Sequence, residues 1–206
     1  MSAKSRAWWG FHQLTDSWAA RLVDLSGVES GDLVLDVGAG TGVLSRHLLA
    51  AGARVVAVEL HPTRARILRQ RFGSALVVVQ ADASDLRLPR RPFHVVSNPP
   101  FGIATALLRR LVSTGSRMQT AHLVVPAYQG ARWAHGRGPA AGRWLPVFGA
   151  RVTMRVPAEA FRPRAAHPTV VLSLERHSRS AADPNAPPTE QRAMLSRVRE
   201  ERSWPC

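Results

Sequence analysis

The segment Leu33-Val34-Leu35-Asp36-Val37-Gly38-Ala39-Gly40-Thr41-Gly42 restricts the fold more than any other part of the chain. Its apolar, partly β-branched start reads as a strand buried on both faces. Three glycines at alternate positions follow, and then Val43, Leu44, His47 and Leu48 take up helical spacing. Glycine in such a turn lets the backbone approach a ligand closely and swing straight into a helix N-terminus. The Gly-x-Gly-x-Gly spacing is one residue shorter than the dinucleotide fingerprint, and no Gly-Lys-Ser/Thr follows, which excludes a P-loop.

Three further apolar runs end on polar residues. Arg54-Val55-Val56-Ala57-Val58 leads to Glu59, placed where a carboxylate can accept from both hydroxyls of a ribose. Leu76-Val77-Val78-Val79-Gln80 leads to Asp82 and Ala83, where Asp82 can accept from the amino group of an adenine. Phe93 to Val96 leads to Asn98. Segments of helical length separate the runs. This alternation predicts an α/β fold, a parallel sheet with helices on both faces, and it puts Asp36, Glu59, Asp82 and Asn98 at the carboxyl ends of strands, where open α/β sheets bind ligands.

Asn98-Pro99-Pro100-Phe101 describes a place to hold a planar amine. A nucleobase amino group is a poor nucleophile because its lone pair is delocalised into the ring, so an enzyme that alkylates it must hold both N–H bonds and turn the lone pair outward. The Asn98 amide oxygen and a proline carbonyl supply two acceptors, and Phe101 supplies a face for stacking.

Charge points to a polyanionic partner. The chain has 28 basic against 14 acidic residues, a net charge of +14 over 206 residues, with Lys4 as its single lysine. Arginine pairs bidentately with phosphate and stacks on bases, so RNA is the expected partner. Cys206 is the only cysteine, which excludes an internal disulfide and a cysteine-based metal site, and no metal is expected from the scattered histidines. No 18-residue apolar run and no signal-like N-terminus are present, so no membrane association and a cytoplasmic location are expected.

On these residues the chain resembles the class I S-adenosylmethionine-dependent methyltransferases, and within them the rRNA adenine N6-methyltransferases of the Erm and KsgA/Dim1 type, over roughly residues 8 to 175. The likeness includes the opening Trp9-Gly10-Phe11-His12-Gln13-Leu14, the string Gly52-Ala53-Arg54-Val55-Val56-Ala57-Val58-Glu59-Leu60-His61-Pro62 shared with short actinobacterial Erm proteins, and Phe161-Arg162-Pro163 before the run at His167 to Val171. The resemblance implies a Rossmann-like domain with a mainly parallel seven-stranded sheet over 1–177. It implies a cofactor, S-adenosyl-L-methionine, held by His12, Leu14, Asp36, Gly38, Ala39, Gly40, Gly42, Glu59, Leu60, Asp82, Ala83 and Asn98. The catalytic tetrad is then Asn98, Pro99, Pro100 and Phe101, with Phe161 lining the pocket of the target base and Arg132 and Arg143 touching RNA. The implied reaction is in-line methyl transfer to adenine N6 of 23S rRNA by a monomer, and the implied phenotype is resistance to macrolides, lincosamides and streptogramin B.

Two departures stand out. Phe11-His12 replaces the Gln-Asn usual in the family, and residues 130–144, rich in glycine, arginine and tryptophan, stand where a more regular helix is expected. At this length the separate helical RNA-binding domain of longer family members is not expected. Residues 178–206 read as a linker followed by a short helix over Thr189 to Arg202, carrying Met194, Leu195 and Val198. Other planar-amine substrates stay open, guanine N2 above all, as does a non-catalytic RNA-binding or ribosome-assembly role on the same fold.

Overall fold

The computed structural model describes residues 12–177. The Trp9-Gly10-Phe11 opening and the 178–206 tail lie outside the described residues. The elements run β1 (Gln13–Leu14), α1 (Asp16–Ser26), β2 (Leu33–Val37), α2 (Val43–Ala50), β3 (Arg54–Val58), α3 (Pro62–Phe72), β4 (Val77–Val79), β5 (Phe93–Ser97), α4 (Ala104–Leu111), β6 (Met118–Pro126), α5 (Ala127–Ala134), α6 (Ala141–Trp144), β7 (Phe148–Val156), β8 (Phe161–Arg162) and β9 (Thr169–Arg176).

Seven strands form one sheet in the order β4-β3-β2-β5-β6-β9-β7, with β9 alone antiparallel to its neighbours. This is the α/β sheet anticipated from the strand and helix alternation, with the seven strands that the resemblance to class I methyltransferases implies. The strand order reverses between β2 and β5, and such a switch point opens a crevice at the carboxyl ends of the strands.

Burial explains why these runs are strands. All five residues of β2 are buried, because helices cover the sheet on both sides. Leu22, Leu44, Leu48 and Leu68, from α1, α2 and α3, pack on one face with Val34, Val55 and Val96. Leu107, Leu108 and Leu111 of α4 pack on the other with Trp133, Trp144, Leu123 and Leu172. Each such side chain contributes about 1.5–3 kcal/mol when fully buried.

Residues 130–144 are more regular than their composition suggests. Gly130 lies inside α5, where a Cβ would come 2.4 Å from Val170 Cγ2. It is a close-packing residue and not a helix breaker. Trp133 and Trp144 anchor α5 and α6 in the core, and the Trp144 indole donates to the Pro139 carbonyl at 3.0 Å.

A second, two-stranded sheet ties the N-terminal segment to the late part of the chain. Gln13 pairs with Arg162 and Leu14 with Phe161, and the Thr15 amide donates to the Ala160 carbonyl at 2.7 Å. Phe161 is fully buried there, among the core residues below α1. The residue expected to line the target-base pocket is thus packed in the core and is not among those that line the cleft described below.

Candidate active site

The carboxyl ends of β2, β3 and β5 converge on a solvent-open cleft. The turn after β2 contributes Asp36, Gly38, Ala39 and Gly40; the end of β3 contributes Glu59, and α3 contributes Arg64. His12, Gln13 and Leu14 line it from the N-terminal segment, while Asn98 and Pro100 line it from the end of β5. Residues expected to hold a cofactor and residues expected to hold an amine therefore share one cavity.

The glycine turn is braced by its neighbour strand. The Gly38 and Ala39 amides both donate to the Val58 carbonyl, at 2.7 and 3.1 Å, and the Gly40 amide donates to Glu59 Oε2 at 2.9 Å. Gly38 has φ +74°, and a Cβ on it would come 2.9 Å from Pro100 Cδ. Cofactor turn and tetrad thus pack directly on each other.

Glu59 is almost wholly buried, and its Oε1 accepts from the His61 amide at 2.8 Å and from Arg64 Nη2 at 3.0 Å. Asp36 is buried as well. Burial pushes its carboxyl up to about 7, against the opposing hydrogen bond from Ser45 and with a further upward push from Glu59. Its Oδ2 accepts from Ser45 Oγ at 2.7 Å, whereas Oδ1 is buried with no hydrogen-bond partner among the described residues. An orphaned carboxylate oxygen on a cleft wall fits the ammonium of an amino-acid ligand, which would satisfy it and favour its charged form. The acidic donor set at Asp36 and Glu59, with a turn admitting close backbone approach, fits a nucleoside that carries an aminoacyl chain, as S-adenosylmethionine does.

Asn98 Nδ2 donates to the His12 carbonyl at 2.7 Å. The His12 ring stacks on Phe101, with centroids 6.0 Å apart and planes 18° apart, and its Nδ1 hydrogen-bonds the Pro163 carbonyl at 3.1 Å. The Pro100 carbonyl already accepts from the Ile103 amide at 3.0 Å, which leaves it one lone pair for an incoming amine.

The remaining sequence candidates lie outside the cleft lining. Gly42 is the N-cap of α2, packed toward Phe72 and Leu68. Leu60 is exposed beside Glu59, and Ala83 is part of the core. Asp82 is exposed, and hydrogen bonds from the Ser84 amide and hydroxyl hold its carboxyl below the usual carboxylate range. Arg132 and Arg143 are exposed on α5 and α6. Sequence reasoning missed Gln13, Arg64 and Ser45. Gln13 Oε1 accepts from Thr41 Oγ1 at 2.9 Å, joining the N-terminal segment to the glycine turn. Ser45 and Arg64 each stand in the first turn of the helix that follows the acid they serve, a placement with no motif to mark it.

Comparison with known proteins agrees with this architecture. The family model for ribosomal RNA adenine dimethylase matches residues 3–187. Mycinamicin-resistance protein MyrB of Micromonospora griseorubida is 34% identical over 167 residues, covering 79% of this chain and 53% of that protein. Ribosomal RNA small subunit methyltransferase A of Leifsonia xyli is 32% identical, covering 79% and 63%. An rRNA adenine N-6-methyltransferase of Corynebacterium diphtheriae is 30% identical, covering 86% and 69%. The chain thus spans between half and two thirds of the length of the first two. The solved 23S rRNA methyltransferase ErmE superposes with a TM-score of 0.72 at 26% identity, covering 80% of this chain and 70% of that one. On this match, which takes in the glycine turn, the strand-end acids and the Asn-Pro-Pro-Phe tetrad alike, the chain belongs to the ribosomal RNA adenine dimethylase family.

Proposed function

We propose that this protein methylates the N6 amine of an adenine in 23S rRNA with S-adenosylmethionine as donor, and that it confers resistance to macrolides, lincosamides and streptogramin B. The observation that carries the reading is that Asn98 and Pro100 line the same cleft as Asp36 and Glu59, so that an amine held by the tetrad meets a donor held by the acids. When bound, the cofactor supplies an electrophilic methyl on a sulfonium.

The chain's own residues then supply position and electrostatics. Asp36 takes the ammonium on its orphaned oxygen, and Glu59, opened from Arg64, takes the ribose hydroxyls. Leu60 covers the cofactor's adenine. Asn98 Oδ1 and a carbonyl of the Pro99–Pro100 pair accept the two amine hydrogens, rotating the nitrogen lone pair out of conjugation toward the methyl. Phe101 holds the ring plane. No general base of matched pKa is needed, because the amine loses its proton to water after transfer; orientation accounts for the acceleration.

The RNA is gathered by the arginine field, with the exposed Arg132 and Arg143 on phosphates. Proximity of 23S rRNA is supported by the likeness to ErmE, and resistance by the likeness to MyrB. The test is to incubate the protein with methyl-labelled cofactor and separate protein-free 23S and 16S rRNAs, then locate the modified nucleotide by primer extension. A single adenine stop in 23S rRNA is expected, lost in Asn98→Ala with cofactor affinity retained. Label on a guanine or on 16S rRNA overturns the substrate, and an Asn98→Ala variant at the wild-type rate overturns the site.

A further inference from the structure

The Asn98 side chain has two chemically opposite ends, and which one faces a nucleobase amine decides whether the tetrad attracts or repels it. In this fold the choice is made by a residue from the N-terminal segment. Nδ2 donates to the His12 carbonyl at 2.7 Å, which commits the donor end and leaves Oδ1 for a ligand in the cleft. The same residue reaches the tetrad a second time, its imidazole stacked on Phe101. Position 12 is itself held from three directions: by the β1–β8 pairing next to it, by the Thr15–Ala160 backbone bond, and by its own Nδ1 on the Pro163 carbonyl.

We propose that His12 is the positioning residue of the amine-holding tetrad, its carbonyl fixing the Asn98 amide with Oδ1 toward the base and its ring backing Phe101. The proposal rests on the function proposed above. It assigns His12 to the amine side of the cleft, where the family likeness would give it to the cofactor. It also makes a hydrogen-bond donor at position 98 obligatory. A carboxylate of the same shape sets an acceptor against the His12 carbonyl at a distance where only a proton between them is tolerable.

The test pairs two variants of the full chain with one measurement that needs no activity. Asn98→Asp, assayed with rRNA and saturating cofactor, is expected about 100-fold below wild type near pH 8, since a misdirected amine loses on the order of two decades in rate. The variant-to-wild-type ratio then rises as pH falls toward about 6, because the protonated carboxyl regains a donor for the His12 carbonyl. His12→Ala is expected to lose about tenfold in kcat, with cofactor affinity by calorimetry and thermal stability nearly unchanged, and His12→Phe is expected to recover most of the rate by restoring the ring on Phe101. A pH-independent ratio for Asn98→Asp overturns the proposal. So does a His12→Ala variant whose stability and cofactor affinity fall as far as its turnover, since that marks a strand anchor.

Asparagine occurs only at positions 98 and 185, so asparagine-specific ¹⁵N labelling isolates the relevant amide. Slowed solvent exchange of one Asn98 side-chain proton is expected, and exchange at the rate of a free amide overturns the proposal whether or not the protein modifies RNA. A wild-type protein that leaves rRNA unmodified yet shows the protected proton sinks the parent function and leaves the positioning contact standing.

Discussion

Replacing Gly38 with alanine separates the conformational role of the glycine turn from its contact with the tetrad. At φ +74° a side chain costs about 1–2 kcal/mol from backbone strain alone. That corresponds to a fall of about 2–8 °C in Tm for a domain of this size. The added Cβ would also lie 2.9 Å from Pro100 Cδ and 3.4 Å from the Pro99 Cα. Neither neighbour can rotate away, because one is a proline ring and the other is backbone. The prolines must then retreat by roughly half an ångström, and since a displacement of about 1 Å costs on the order of 100-fold, turnover at saturating cofactor and RNA should drop about tenfold. Gly27 is the control: it has φ +61° and nothing within 4 Å of an added Cβ. Gly27→Ala should lose a similar few degrees in Tm and keep wild-type turnover. Both variants are read by thermal unfolding and by steady-state methylation of rRNA. If Gly38→Ala melts early yet turns over at the wild-type rate, the turn does not position the tetrad.

Protonation of Asp36 gives a second test. With its folded carboxyl raised from 3.8 to about 7, only the folded state holds the proton between those values, so the contribution to stability is present below about pH 4 and is lost as pH rises through 7. Asp36→Asn should flatten that pH dependence and raise Tm above pH 7, while weakening cofactor binding; thermal unfolding across the range and calorimetry check both, and an unchanged pH profile contradicts the assignment. Phe161→Ala removes a fully buried ring and should cost about 3–5 kcal/mol in urea unfolding, whereas a stability loss under 1 kcal/mol would return Phe161 to an exposed role. Arg132→Gln and Arg143→Gln should each reduce the slope of log affinity for RNA against log salt by about one, measured by filter binding, and an unchanged slope removes that arginine from the phosphate contacts.

Much of the fold was legible because buried parallel strands need unbroken apolar runs and a polar residue ending such a run tends to face the crevice, although Asp82, read the same way, lies outside its lining. Asp36, Glu59 and Asn98 were found that way, and they do meet in one cleft. What sequence could not show was tertiary partnership. Phe161 looks the same in a one-dimensional pattern whether it faces a base or a core, and its pairing with Leu14 spans most of the chain. Gly130 carried the composition of a loop but serves a helix that must approach Val170. Glu59 was readable as a ligand for hydroxyls, yet nothing in the sequence marked its present partner Arg64, which stands in the first turn of the following helix. His12 was singled out by the family likeness as a cofactor residue, while the contact that ties it to Asn98 is made by its backbone carbonyl, which no side-chain motif encodes.

The central claim is that one cleft brings a nucleobase amine to a sulfonium-bound methyl. Nucleoside mass spectrometry of 23S rRNA treated with the purified protein and methyl-labelled S-adenosylmethionine tests it most directly. Label is expected in N6-methylated adenosine and absent from the Asn98→Ala reaction; label confined to another nucleoside, or N6-methylated adenosine formed equally well by Asn98→Ala, refutes that reading.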